Sequence, residues 1–135
     1  MQLVLAFPPS LNHMYPTTKS GRRILSKDGR DYKRLTAIDI MVQKAGHSFG
    51  AKPVRVDIEM YPPDNVRRDV DNYTKIVFDT MTYAKVWNDD SQVMELRIRK
   101  MPPGKWSRMV VNIKEAKDAA AYIFADEMLI VRSAP

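Results

Sequence analysis

Two arginines run directly into two aspartates in the stretch NVRRDVDN, residues 65–72. Asp69 and Asp71 are separated by one residue and precede a segment with helical spacing. If residues 68–71 are extended, both carboxylates project to one side, because side chains alternate along an extended chain. Such a pair can help to hold a divalent cation. The alternative for Asp71 is an N-cap of the following helix, which for that residue alone is the simpler role.

A second acidic pair, Asp89 and Asp90, lies just past the other end of the same helical segment and could return to the first pair. Clustered carboxylates raise one another's pKa, so gathering them in a basic protein is costly without a cation. Mg²⁺ prefers oxygen ligands from carboxylates, water and phosphate. The two histidines, His13 and His47, lie in separate loop-like segments, which argues against a zinc site. The sequence therefore predicts a magnesium site built from aspartates.

Basic side chains surround these aspartates. Lys75 follows Asp71 by four residues and shares its helix face. It is either a surface ion-pair partner of Asp71 or a cation that stabilises charge developing on a phosphate. Further cations near the motif and on a later strand suit phosphate contacts: Arg67, Arg68, Arg97 and Arg99. Acids for a metal beside bases for phosphate are typical of metal-dependent phosphodiester hydrolysis.

Composition limits the classes of protein. A formal charge of +6 favours an anionic partner such as nucleic acid, although an ordinary basic protein would have the same charge. The absence of cysteine excludes disulfides, thiolate metal sites and cysteine nucleophiles, and it suits a cytosolic protein. The apolar start MQLVLAFPPS breaks at two prolines, so neither a signal peptide nor a membrane span is expected in this segment. The 135 residues, 44% of them apolar, fit one domain.

Hydrophobic spacing predicts the elements that position the acids. Alternation indicates strands in residues 2–8, 54–60, 93–101 and 106–113, and the last two are expected to pair as a hairpin across the turn PPGK. Three- and four-residue spacing predicts two helices, residues 31–46 with Leu35, Ile38, Met41 or Val42, and Ala45 inward, and residues 73–85 with Tyr73, Ile76, Val77, Thr80, Met81 and Ala84 inward. The basic segment 17–34 is expected to be a loop, either a solvated surface or an arm that follows phosphates.

These elements predict a small two-layer α+β domain. Its mixed or antiparallel sheet of about four strands is expected to pack against two main helices. The alanine-rich segment 115–135 predicts a further, C-terminal helix, packed on the same domain or on another subunit.

The stretch RRDVDNYTKIVFDTMTYAKVWNDDSQV, residues 67–93, resembles the core motif of the RusA family of Holliday-junction resolvases. The shared pattern is R-D-x-D-N-x-x-K, a helix, then W-x-D-D-x-Q-V. The segment PPSLN, residues 8–12, is also similar to the amino-terminal part of that family. The resemblance covers about residues 3–113 and implies a nuclease domain over residues 1–114 followed by an extension over residues 115–135.

The resemblance implies a homodimer that binds four-way DNA junctions and nicks opposed strands with Mg²⁺, for which Mn²⁺ can substitute. It implies catalytic roles for Asp69, Asp71, Asp90 and Lys75, and metal-ligand roles for Asp69, Asp71 and Asp90 with Asp89 beside them. The expected DNA contacts are Asn12, Lys19, Arg22, Arg23, Arg67, Arg68, Asn72, Arg97 and Arg99. A phage or bacterial origin and a place in the cytoplasm of a bacterial host follow as expectations.

Two alternatives stay open from the sequence. One is a nuclease for other branched DNA, such as flaps or replication forks. The other is a basic junction-binding protein without activity, in which the acids serve as caps and salt bridges.

Overall fold

The computed structural model describes residues 1–117. Its elements are β1 (Gln2–Leu5), α1 (Leu11–Met14), α2 (Lys27–Lys44), β2 (Val54–Tyr61), α3 (Thr74–Tyr83), β3 (Val93–Lys100) and β4 (Arg108–Glu115). Two one-turn 3-10 helices, Val70–Asn72 and Asp90–Gln92, flank α3. The predicted C-terminal helix lies outside the described residues, except that its first residue, Glu115, is the last residue of β4.

The strands form one mixed sheet in the order β1-β4-β2-β3. β4 runs antiparallel to both of its neighbours, whereas β2 and β3 are parallel. A parallel pair needs a crossover connection, and α3 supplies it. The predicted small α+β domain with a mixed or antiparallel sheet of about four strands is therefore confirmed, and the sheet is of the mixed kind.

The expected hairpin between β3 and β4 is wrong, because β2 lies between these two strands. The connection over residues 101–107 crosses the end of β2, where the Met101 N–H donates to the Met60 carbonyl at 2.8 Å. The residues PPGK do interrupt the strands, but a turn signal does not specify which strand lies beside which in the sheet.

The core lies between one face of the sheet and the helices. The alternating apolar side chains of β2 are at most 2% exposed: Val54, Val56, Ile58 and Met60. The predicted inward face of α3 is confirmed, since all six of its predicted residues are buried. Trp87, which follows α3 in the chain, is fully buried in the same core. Its indole N–H donates to Thr82 Oγ1 at 2.7 Å, and its ring meets the edge of Phe78 at a centroid distance of 5.5 Å.

The helix α2 begins at Lys27, four residues before the predicted start, so residues 27–34 are helical and not part of a loop. Ser26 is the N-cap, and its Oγ accepts a hydrogen bond from the Gly29 N–H at 3.0 Å. A Cβ at Gly29 would lie only 2.5 Å from Leu25 Cδ1. The close packing of this first turn explains why a glycine, usually a helix breaker, stands inside the helix.

The predicted inward face of α2 is wrong. Its large apolar side chains are 46 to 74% exposed: Leu35, Ile38, Met41 and Val42. Ala45, which was also predicted inward, is exposed as the left-handed C-cap. The buried face instead carries Thr36, Ala37 and Ile40. Two small side chains allow α2 to approach its neighbours closely, so close approach rather than side-chain size decides which face is buried.

The strand β3 lies at the edge of the sheet and is less buried than its alternation predicted. Met94 and Leu96 are 47 and 39% exposed. Only Val93 and Ile98 of its apolar side chains pack against the core. Within residues 1–117, an apolar surface and an unpaired strand edge are therefore both accessible here. None of the helices in residues 1–117 has the length and apolar character needed to cross a membrane.

Candidate active site

The motif RRDVDN lies where the chain leaves β2 and turns toward α3. Arg68 holds this loop together. Its Nη1 donates to Asp64 Oδ1 at 2.7 Å and to the carbonyl of Val66 at 3.2 Å, and its guanidinium lies over the Phe7 ring at 5.6 Å. The hydrogen bond from Arg68 lowers the pKa of Asp64. Arg68 therefore fixes the path of the loop, in addition to its predicted role in phosphate contact.

Asp69 and Asp71 present their carboxylates to solvent. Asp69 is extended (φ −89°, ψ 135°) and precedes the 3-10 helix that contains Asp71. The predicted extended course is therefore wrong from residue 70 onward. The N-cap role for Asp71 is also wrong, since α3 begins at Thr74 and its N-cap is Tyr73. Within residues 1–117 neither carboxylate makes a hydrogen bond or an ion pair, so both are available to a ligand.

The second pair consists of two unlike aspartates. Asp89 Oδ2 accepts a hydrogen bond from the Ser91 N–H at 3.1 Å, and the Asp89 N–H donates to Gln92 Oε1 at 2.8 Å. This capping box lowers the pKa of Asp89, chiefly through the hydrogen bonds from Ser91. Asp90 is exposed, and its carboxylate has no hydrogen bond or ion pair in the described part of the chain. Asp89 thus has a structural role that Asp90 lacks.

The two acidic pairs lie at opposite ends of α3. Asp69 follows the end of β2, whereas Asp90 precedes the start of β3, which runs parallel to β2. The eight residues of β2 span about 23 Å, and α3, which carries the chain back from the end of β2 to the start of β3, is about 15 Å long. Across residues 1–117 no three Asp, Glu or His side chains converge closely enough to hold an ion. The expectation that the second pair returns to the first is wrong within one chain.

Lys75 pairs with Asp79 one turn further along α3, and not with Asp71. The Lys75 Nζ lies 3.4 Å from Asp79 Oδ2, and the Tyr15 hydroxyl donates to the same oxygen at 2.5 Å. The Lys75 Nζ is also 5.1 Å from the centroid of the Tyr15 ring. Burial and the hydrogen bond to Asp79 raise the pKa of Tyr15. The ammonium group is therefore held by a carboxylate and an aromatic face.

Sequence reasoning missed both partners of this lysine. Asp79 follows Lys75 by four residues, and that spacing was a visible signal for an ion pair. Tyr15 is distant in the sequence and reaches α3 only because α1 folds against it, so no local pattern could have indicated it.

A cavity of about 410 Å³ extends from Asp79 to the second acidic pair. Lys33 Nζ lies over the Tyr83 ring there, at 5.1 Å from its centroid. The cavity is lined by Lys33, Asp79, Thr82, Tyr83, Lys85, Asp89 and Asp90. Two lysines and three aspartates therefore line this cavity, so it presents both signs of charge and does not favour an anion.

The predicted DNA contacts fall into three places. Arg67 and Asn72 lie in the motif itself. Lys19 and Arg22 are exposed in the turn after α1, where the Arg23 guanidinium donates to Asn12 Oδ1 at 3.3 Å. Arg97 and Arg99 lie on the sheet face that points away from the helices, and Arg99 is 3.8 Å from Asp57 Oδ1. Within one protomer, Arg97 and Arg99 therefore lie on the opposite face of the sheet from the helices.

A small α+β domain that presents uncommitted aspartates between a positioned arginine and a positioned lysine has the features of a nuclease domain. The chain belongs to the RusA family: the model described as "Endodeoxyribonuclease RusA" matches residues 6–114. The resemblance inferred from the motif is thereby confirmed.

Curated relatives cover most of the chain. The "Crossover junction endodeoxyribonuclease RusA" of Escherichia coli (strain K12) is 39% identical over 114 residues, which are 84% of this chain and 92% of that protein. The protein of the same name from Enterobacteria phage 82 is 38% identical over 113 residues, again 84% of this chain and 92% of the relative. The protein from Shigella sonnei (strain Ss046) is 39% identical over 115 residues, with the same shares.

Proposed function

We propose that this protein is a structure-specific endodeoxyribonuclease that resolves Holliday junctions by paired nicks in opposed strands. Membership of the RusA family and the names of its relatives support this proposal. The observation that carries it is the pair Asp69 and Asp71, exposed and without partners in residues 1–117, beside the loop that Arg68 holds. Such a function would place the protein in the cytoplasm of a bacterial cell.

Mg²⁺ is the proposed cofactor, with Mn²⁺ as its substitute. The residues that would hold it are Asp69, Asp71 and Asp90, with Asp89 beside them. Their oxygen donors suit Mg²⁺ in chemistry, although one protomer holds them in two separate groups. When bound, such an ion supplies the positive charge that activates a water molecule and stabilises the leaving oxygen.

The basic side chains would bind and orient the DNA. Arg67, Lys19 and Arg22 are exposed and suit contacts with the phosphate backbone. Lys75 would stabilise charge that develops on the scissile phosphate. Asp79 and Tyr15 would keep its ammonium group in place while no DNA is bound.

We infer a homodimer because a single protomer leaves the acidic pairs at opposite ends of α3. A two-fold axis at the middle of the exposed edge of β3 would run the partner's β3 antiparallel. The partner's Asp90 would then approach Asp69 and Asp71, and the exposed Met94 and Leu96 would be covered. This arrangement gives two equivalent sites, which suits two opposed strands of a junction.

The test of the proposed function is cleavage of an immobile four-way junction, a matched linear duplex and a flap, each with Mg²⁺ or EDTA. Wild type and Asp71→Asn are compared. Symmetric nicks in the junction that require both Mg²⁺ and Asp71 are expected. Preferred cleavage of the flap would replace the proposal with a nuclease for other branched DNA, and tight junction binding without any cleavage would replace it with a binding protein.

A further inference from the structure

Trp106 is a large aromatic side chain on the surface, in the connection between β3 and β4. It is 66% exposed, whereas Trp87, the other tryptophan of the chain, is fully buried. An exposed indole costs solvation free energy, and surface tryptophans are enriched where a protein binds a partner. Trp106 therefore calls for an explanation other than packing.

The indole of Trp106 is held in place by an arginine. The guanidinium carbon of Arg108 lies 4.4 Å from the centroid of the Trp106 ring and 3.9 Å from that of the Tyr61 ring. Arg108 Nη1 also donates to the Trp106 carbonyl at 2.9 Å. The Tyr61 hydroxyl in turn donates to Glu59 Oε2 at 3.0 Å. The stack of Tyr61, Arg108 and Trp106 fixes the orientation of the indole and leaves much of its surface to solvent.

This stack lies at the same end of the sheet as the acidic motif. The Gly104 N–H donates to the Pro62 carbonyl at 3.4 Å, so the connection that carries Trp106 packs on the loop that carries the motif. The Lys100 ammonium group donates to the Arg68 carbonyl at 2.6 Å, one residue before Asp69. Trp106 and Asp69 therefore lie at the same end of the sheet, and the bond from Tyr61 to Glu59 places the stack on the sheet face that also carries Arg99.

The surroundings of Trp106 favour a ligand with both negative charge and a flat π face. Lys105, the residue before Trp106, is exposed and attracts phosphate groups. The indole stacks on any nucleobase, since every base has a π face. In a continuous duplex these faces are already stacked on one another, whereas a branch point can expose one.

We propose that Trp106, held by Arg108 and Tyr61, is a stacking site for a nucleobase that is unstacked at the branch point of the DNA substrate. The inference rests on the proposed function, because it takes branched DNA as the ligand. The site recognises the branch itself, a task that neither the aspartates nor the phosphate-binding cations perform. It needs no conformational change, because the aromatic platform is already formed.

The first test is equilibrium binding without cleavage, in Ca²⁺, to a four-way junction and to a matched linear duplex. Trp106→Ala is expected to weaken junction binding roughly tenfold and to leave duplex binding within about twofold of wild type. Trp106→Phe should retain most of the junction affinity, because a phenyl ring still stacks. The matched control Lys105→Ala removes only a charge and should weaken both complexes alike.

The second test uses the intrinsic fluorescence of the protein. Because Trp87 is fully buried, iodide should quench mainly Trp106. The junction is expected to quench the emission of Trp106 and to protect it from iodide, and the duplex is not. A 2-aminopurine placed at the branch point should lose emission on binding wild type, and this loss should be absent with Trp106→Ala.

The outcomes separate this inference from the proposed function. If wild type prefers the junction and Trp106→Ala retains that preference, the stacking site is overturned and the resolvase proposal stands. Equal losses of junction and duplex affinity in Trp106→Ala would also overturn the stacking site, since they indicate a general role in DNA contact. A wild-type protein without any preference for the junction would overturn both.

Discussion

Individual carboxylates near the motif differ in ways that only their hydrogen bonds reveal. The sequence presents Asp89 and Asp90 as equals. In the structure Asp89 is committed to a capping box, whereas Asp90 is exposed and uncommitted within residues 1–117. The same criterion favours Asp69 and Asp71, whose carboxylates have no partners in the described chain. Uncommitted carboxylates keep their charge and lone pairs for a metal ion.

Replacing Asp90 should therefore damage catalysis more than replacing Asp89. Asp90→Asn is expected to slow junction cleavage on the order of 100-fold or more and to leave junction binding unchanged or tighter, because one negative charge is removed from a DNA-binding surface. Asn is also a good N-cap, so Asp89→Asn should stay within about threefold of wild type. Single-turnover cleavage rates measure both variants, and equal losses would show that Asp89 is also a ligand.

A catalytic role of Lys75 can be distinguished from simple charge attraction to DNA, because the two roles affect cleavage rate and junction affinity differently. Lys75→Ala should slow single-turnover cleavage on the order of 100-fold while junction affinity falls only a few-fold, provided that its contact strengthens in the transition state. Asp79→Asn removes the carboxylate that holds the ammonium group and should have a smaller effect of the same kind. Equal losses of rate and affinity in Lys75→Ala would reduce Lys75 to a phosphate anchor.

Helices α2 and α3 show how far periodicity predicts an element. Spacing predicted both helices, and for α3 it also predicted the buried face. In α2 two stripes have helical spacing, one with large apolar side chains and one with Thr36, Ala37 and Ile40. The second is buried because small side chains permit close contact with β1 and α3. Which stripe is buried therefore depends on contacts between elements that are distant in the chain, and the local pattern does not contain these contacts.

Stability measurements can check the observed face of α2. Ile40→Ala should lower the free energy of unfolding by about 2–5 kcal/mol, because Ile40 is fully buried. Val42→Ala, on the exposed stripe, should change it by no more than about 0.5 kcal/mol. Urea denaturation of both variants gives the comparison. A larger loss of stability in Val42→Ala than in Ile40→Ala would instead support the buried face that the sequence predicted.

The edge strand β3 carries the proposed dimer contact. Leu96→Lys should produce monomers, because it places a charge on the apolar side chains that the partner would cover. Leu35→Lys is the matched control, since it changes a similarly exposed apolar residue on α2. Light scattering after size-exclusion chromatography measures the mass of each variant. Monomers from Leu35→Lys alone would move the interface to α2.

At the scale of the whole molecule, the motif is recognisable in the sequence, but the separation of its two acidic pairs is not. Residues 67–93 are continuous in the chain, so Asp69 and Asp90 look like members of one cluster. The helix α3 and the parallel pairing of β2 and β3 separate them. The order of strands in a sheet depends on contacts between distant segments, which a local sequence pattern does not contain. The expected hairpin between β3 and β4 is wrong for the same reason.

If each catalytic site takes Asp69 and Asp71 from one chain and Asp90 from the other, dimers that combine two different variants should regain activity. Asp71→Asn and Asp90→Asn alone should each cleave junctions on the order of 100-fold or more slowly than wild type. A mixed dimer would contain one site with both changes and one site with neither. Mixing the two variants and allowing subunits to exchange should therefore restore nicking of one strand of a junction, at up to about half of the wild-type rate per mixed dimer. No recovery, despite exchange shown by differently tagged subunits, would mean that each site belongs to one chain.

The separation of the acidic pairs along α3 also has a consequence for the cell. If each catalytic centre needs two copies of the chain, an isolated copy is harmless to DNA. Activity would then rise with the square of protein abundance until most copies are paired. A host could tolerate leaky expression of such a gene, and DNA scission would begin only above a threshold of synthesis.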